Sequence, residues 1–217
     1  MPVIHQPADA RRNAGVLAVM LPGAYSLPRE FVDQGFVSRL HARFAVDVAI
    51  ADAHLGYARD GTLLQRLRDD VLAPAWRDGY RRIWLVGISL GGFASLGLLM
   101  QQPEWIEGVL AIAPYVGQPP LLQQVRAAGG ARAYAAAPQP SDDPAAELWR
   151  WLGRADTAMR RRIHCYTGSQ DRLIDGQRLL AAELEADHVL EVPGTHDWPA
   201  WNTLWSRWLE RAPWPRA

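Results

Sequence analysis

The chain contains no lysine: all 23 of its basic residues are arginine. That absence removes the chemistries that need a lysine amine, among them the phosphate-binding P-loop, Schiff-base formation and kinase-type phosphoryl transfer. Cysteine is nearly as scarce. Cys165 alone allows no intrachain disulfide and no multi-cysteine zinc or iron–sulfur site. Its place inside an apolar run makes it a small core side chain, and its solitude fits a reducing compartment. Charge of one sign is lacking too. The 23 basic residues balance 23 acidic ones, whereas a nucleic-acid or anionic-membrane partner shows itself as a basic excess. No apolar run approaches the ~20 residues of a bilayer span; the first, Val16–Leu21, covers about a third of one and lacks a signal-peptide cleavage pattern. The opening MPVIHQPADARRNAG is polar and reads as ragged. A cytoplasmic protein is expected, with no membrane and no nucleic-acid partner.

What is present is an ordinary globular composition: 217 residues, 49% hydrophobic and 21% charged, which predicts one domain. Six short apolar runs recur, GVLAVMLPG (15–23), VDVAIADA (46–53), RIWLVGIS (82–89), GVLAIAPY (108–115), RIHCYTG (162–168) and HVLEVPG (188–194). Their hydrophobicity is continuous rather than alternating, as in strands covered on both faces. Helical periodicity separates them, over 28–43, 62–77, 90–101, 174–186 and 199–211. This alternation predicts an α/β protein, a three-layer α/β/α sandwich around a mostly parallel sheet. Residues 116–161 break the rhythm with no convincing strand. They carry Gly129-Gly130, AAAPQPSDDPAA (135–146) and a Trp-bearing helix ELWRWL (147–152). They read as an insertion on the sheet edge, either a lid or a decorative loop.

The segment RRIWLVGISLGGFASLGLLM (81–100) carries the chemistry. A buried strand runs into Gly87-Ile88-Ser89-Leu90-Gly91 and then directly into an apolar helix. That is G-x-S-x-G in the strand–turn–helix context that gives the pattern meaning. A turn this sharp leaves no room for side chains beside the serine, so glycine flanks it. Ser89 is placed at the tip, above the carboxyl edge of the sheet. The helix amides that follow favour negative charge there.

Partners follow in the order Ser, Asp, His. Asp171 comes after the run 162–168, in SQD, and His196 after the last run, in GTHDW. Each falls just past the carboxyl end of a strand, so the three converge on one rim. His196 is expected to take the Ser89 proton, oriented by Asp171. Asp175 and Asp197 are rival acids; Asp197 reads better as the cap of the last helix, ahead of Pro199. Two backbone amides are needed for an oxyanion. Leu90 supplies one, and Ala24 or Tyr25, after Gly23, the other. Candidate pocket residues are His54, Tyr115, Trp149 and Trp151; His54 reads equally as an inert loop residue, and the two tryptophans equally as the packing of the insertion on itself. Asp52 reads as a turn former. His5, His41, His164 and His188 show no ligand spacing, so no metal is expected. Of ten tryptophans, Trp198, Trp201, Trp205 and Trp208 form a helical stripe suited to core packing.

The sequence resembles the α/β-hydrolase superfamily, in particular small bacterial serine esterases of the esterase D, carboxylesterase and thioesterase kind. The resemblance is carried by LPG (21–23), GISLGG (87–92), GSQD (168–171) and GTHDWPAW (194–201), and spans nearly the whole chain. It implies Ser89, Asp171 and His196 as nucleophile, acid and base, with no metal and no organic cofactor. One departure is Pro22-Gly23 where many such enzymes have His-Gly ahead of the oxyanion donor. The expected function is hydrolysis of a carboxylic ester or thioester of a small, uncharged acyl group through an acyl-enzyme. The alternatives are a non-catalytic binding protein of the same fold, which would lose a triad member, and an acyltransferase or peptidase that keeps all three.

Overall fold

A computed structural model describes residues 1–8, 15–137 and 141–217. Among these residues seven strands form one sheet: β1 (Val3–Gln6), β2 (Val16–Leu21), β3 (Asp47–Ala51), β4 (Arg82–Ile88), β5 (Gly108–Ile112), β6 (Ile163–Gly168) and β7 (Val189–Val192). Their spatial order is β1-β3-β2-β4-β5-β6-β7. All neighbours are parallel except β1, which runs antiparallel to β3. In chain order the helices are α1 (Glu30–Asp33), α2 (Phe36–His41), α3 (Leu55–Arg59), α4 (Leu63–Leu67), α5 (Ala73–Arg77), α6 (Leu90–Gln101), α7 (Pro119–Ala128), α8 (Ala131–Ala136), α9 (Pro144–Arg154), α10 (Thr157–Arg160), α11 (Ile174–Ala181) and α12 (Trp198–Arg211).

The continuous apolar runs make sense in this sheet because both faces are covered. Along β2, Leu17, Val19 and Leu21 enter one core while Val16, Ala18 and Met20 enter the other. The first core packs the sheet against α4, α6, α7, α9 and α11, through Leu67, Leu98, Val125, Trp149 and Leu180. The second packs it against α1, α2 and α12, through Phe31, Phe36, Leu40, Trp205 and Trp208. The tryptophan stripe is thus core, as its spacing predicts. No helix among the described residues is long and apolar enough to cross a membrane.

Three expectations are corrected. The opening segment is not ragged throughout: Val3–Gln6 pairs with β3, with Val3 opposite Ala51. Four residues at an edge, three half-buried and His5 exposed, carry too little pattern to be read locally; residues 9–14 lie outside the described ones. The helix expected over 28–43 is two, divided at Gly35, whose φ of 75° no helix interior tolerates. The segment 116–161 is not on the sheet edge. It joins β5 and β6, which are neighbours inside the sheet. Of its AAAPQPSDDPAA stretch, residues 138–140 lie outside the described ones.

Candidate active site

Ser89 occupies the single residue between β4 and α6, at φ 55° and ψ −112°, a conformation costly for any side-chain-bearing residue. Its N–H donates to Ile112 O (3.0 Å), and its own carbonyl accepts from Phe93 N–H and Tyr115 N–H, each at 3.1 Å. These bonds and the packed helix hold the strain in place. The flanking glycines are steric necessities. A Cβ on Gly87 would fall inside 3.0 Å of the Gly91 carbonyl, and one on Gly91 inside 3.0 Å of the Leu21 and Pro22 carbonyls. Gly91 therefore also lets the loop after β2 lie against the turn.

The loops carrying Asp171 and His196 are tied to each other before they meet the serine. Ser169 N–H donates to Val192 O (2.8 Å) and Gln170 N–H to Gly194 O (2.9 Å). His196, from the loop after β7, places Nδ1 2.6 Å from Asp171 Oδ2 and Nε2 2.9 Å from Ser89 Oγ. Asp171 Oδ1 accepts from Leu173 N–H at 2.7 Å. Burial pushes the Asp171 carboxyl up, but its hydrogen bonds from His196 and Leu173 outweigh that and hold it below the usual carboxylate range. Of the rival acids, Asp197 caps α12, accepting from Ala200 N–H (3.2 Å) and from Thr195 Oγ1 (2.6 Å). Asp175 lines the cavity beside Ser89 without touching His196.

The loop after β2 turns at Gly23–Ser26, where Ser26 N–H bonds Gly23 O at 3.1 Å. A Cβ on Gly23 would sit 3.4 Å from Ser89 Cβ, so the turn abuts the serine. Among the described residues no group accepts from the N–H of Ala24, Tyr25 or Leu90. All three residues line a cavity of about 610 Å³ that opens onto Ser89. Leu55, Tyr115, Val116, Leu122 and Leu173 share its walls. Burial, and then the charge of Asp143, raise the Tyr115 phenol above its usual range.

Tyr115 is therefore where the sequence put it, and three other pocket candidates are not. His54 caps α3, its Nδ1 accepting from Gly56 N–H at 3.0 Å, and it stacks on Tyr57; the adjacent Leu55 reaches the cavity instead. Trp149 is 1% exposed and donates to Val116 O at 2.8 Å inside the core. Trp151 packs against the same core. Tryptophans on such a helix fit either role, because a helix buried on a second helix needs large apolar residues as much as an acyl pocket does. The wall they were expected to supply is formed in part by α7, whose positions 119, 122, 123 and 126 face the cavity. Arg126 and Arg172 are thereby brought in, and neither was singled out. The i, i+3, i+4, i+7 spacing in α7 was the available signal. Away from this site, Glu185, Asp187 and His188 have donor atoms within 4.8 Å of one another at the amino end of β7.

No family model and no curated protein matches the sequence. Solved structures do. MPT51 (FbpC1) of Mycobacterium tuberculosis aligns with a TM-score of 0.66 at 14% identity, over 96% of this chain and 91% of that one. Est1E from Butyrivibrio proteoclasticus gives 0.64 at 13%, over 96% and 90%. FphF, a fluorophosphonate-binding serine hydrolase of Staphylococcus aureus, gives 0.63 at 12%, over 96% and 90%. The chain has the α/β-hydrolase fold.

Proposed function

We propose that the chain is a serine hydrolase acting on a carboxylic ester or thioester of a small acyl group, with Ser89, His196 and Asp171 as its triad. The observation that carries this reading is His196 bridging Ser89 Oγ and Asp171 Oδ2, at 2.9 and 2.6 Å, beside a cavity open to a substrate. The fold shared with a fluorophosphonate-binding serine hydrolase supports it.

The ionised Asp171 accepts Nδ1–H, which leaves Nε2 free to take a proton. Ser89 Oγ attacks the carbonyl carbon as its proton passes to His196 Nε2. Charge then develops on the carbonyl oxygen. The Leu90 N–H, at the first turn of α6, and the N–H of Ala24 or Tyr25 in the turn after β2 stabilise it. The tetrahedral intermediate collapses, and His196 returns the proton to the departing alcohol or thiol. A water, deprotonated by the same Nε2, attacks the acyl-enzyme, and the carboxylic acid leaves with Ser89 restored. Every proton moves between Ser89, His196, water and the leaving group, so no cofactor or metal is needed. In this reading α7 walls the substrate site, and α9 serves as the core layer beneath it.

The test is labelling with a fluorophosphonate and turnover of a panel of esters and thioesters. Label on Ser89, and a loss of ~10³-fold or more in kcat for Ser89→Ala, are the expected results. Label that persists unchanged in Ser89→Ala would overturn the reading.

A further inference from the structure

The proposed reaction makes no use of the charge that the cavity carries. Two arginines line it, Arg126 from the exposed face of α7 and Arg172 from the loop directly after Asp171, together with Asp175. Nine of the 21 described arginines pair with a carboxylate within 4.0 Å. Arg126 and Arg172 have no such partner among the described residues. An arginine pair on two different elements, facing one concave space beside a nucleophile, is what planar, forked recognition of an oxyanion group requires. The amide of Gln123 on the same wall adds an uncharged donor. Leu55 and Leu122 keep part of the space apolar.

We propose that Arg126 and Arg172 form a carboxylate-binding subsite, so that the substrate is an ester or thioester bearing a free carboxylate. The proposal rests on the hydrolase reading of Ser89. Asp175 on the same wall, and Asp143 near enough to act on Tyr115, disfavour a phosphate dianion and leave the arginine pair suited to a monoanion. The carboxylate belongs either to the acyl half or to the leaving half of the substrate.

Two pairs of esters test it. The hemiglutarate of 4-nitrophenol against its pentanoate places the acid on the acyl half; 4-(butyryloxy)benzoate against 4-(butyryloxy)benzamide places it on the leaving half. The acidic member of one pair should have a KM lower by roughly ten-fold, the size expected of a charge-assisted hydrogen bond. The advantage should shrink in ~1 M salt and vanish in the Arg126→Gln/Arg172→Gln double variant. Equal KM values in both pairs, or a preference that survives the double variant, would overturn it. A second measurement needs no turnover: calorimetric titration of glutarate into Ser89→Ala protein with and without the double substitution. Binding lost with the arginines supports the subsite even where fluorophosphonate fails to label Ser89, in which case the hydrolase reading alone falls. Absent binding, or binding indifferent to the arginines, sinks the subsite and leaves that reading intact.

Discussion

The indole of Trp201 stands at 90° to the imidazole of His196, with 5.3 Å between ring centres. Trp198 stands edge-on to Trp201 in turn, at 5.1 Å, and to Phe31 and Phe36. A chain of rings thus runs from the second core to the base. Edge-to-face contacts of this kind favour one ring orientation, so Trp201 is expected to act as a positioning residue for His196. Trp201→Leu should lower kcat about ten-fold with little change in KM, and Trp201→Phe should restore most of it. Kinetics at a temperature where all three proteins are folded decides it; a folded Trp201→Leu protein with full kcat would remove the role.

Ser89 trades stability for its position. At φ 55° an alanine suffers the strain that glycine escapes. Ser89→Ala and Ser89→Gly both lose the hydroxyl and its bond to His196, so their comparison isolates the backbone. Ser89→Gly should be the more stable by ~1 kcal/mol, although glycine is normally the destabilising choice. Denaturant midpoints measure the difference, and a less stable glycine variant would show that the turn is unstrained.

Asp171 and Asp197 separate by role. Asp171→Asn should cut kcat by several orders of magnitude with the fold intact, because an amide no longer favours the Nδ1–H tautomer of His196. Asp197→Ala should cost ~1 kcal/mol through the lost cap on α12, and Asp197→Asn, which still caps, should be nearly silent. Turnover and melting points for the three proteins check this. A larger loss of turnover in Asp197→Asn than in Asp171→Asn would reverse the assignment.

His164 predicts an acid limit to stability. Burial, then the neighbouring His188, push its imidazole down to about 4, with Asp187 opposing and Arg211 adding to the effect. His188 stacks on it at 4.2 Å, and the buried Nδ1 of His164 has no partner among the described residues. In the unfolded chain a histidine takes its proton near ~6.5. Between these two values the unfolded state binds the extra proton, so stability falls as pH drops from about 6.5 towards 4. The loss reaches ~2–3 kcal/mol at most. Urea denaturation at neutral pH and near pH 5 should show it in the wild-type protein and a shallower fall in His164→Gln. Equal slopes would place the acid sensitivity elsewhere.

Local chemistry in the sequence determined a good deal. Gly87-Ile88-Ser89-Leu90-Gly91 between an apolar run and an apolar helix determined the strained turn, because only glycine flanks tolerate the approach of Gly91 to the Leu21 and Pro22 carbonyls. Asp171 and His196 followed from their place after strands, since parallel strands bring their carboxyl ends to one rim. Asp197 ahead of Pro199 announced a helix cap, a contact that spans three residues. What escaped was what depends on distant pairing. Four residues at Val3–Gln6 become a strand only because β3 offers an open edge. The segment 116–161 could be recognised as strandless, but not that its neighbours β5 and β6 lie side by side. Nor could its helices be sorted into the one that faces the cavity and the one buried beneath it. Trp149 and Arg126 lie on helices of one segment, and periodicity shows that each helix has faces without showing what each face meets. Only the packed structure decided that Trp149 turns into the core while Arg126 joins Arg172 at the cavity beside Ser89, because burial of a helix face is a contact with residues remote in the chain.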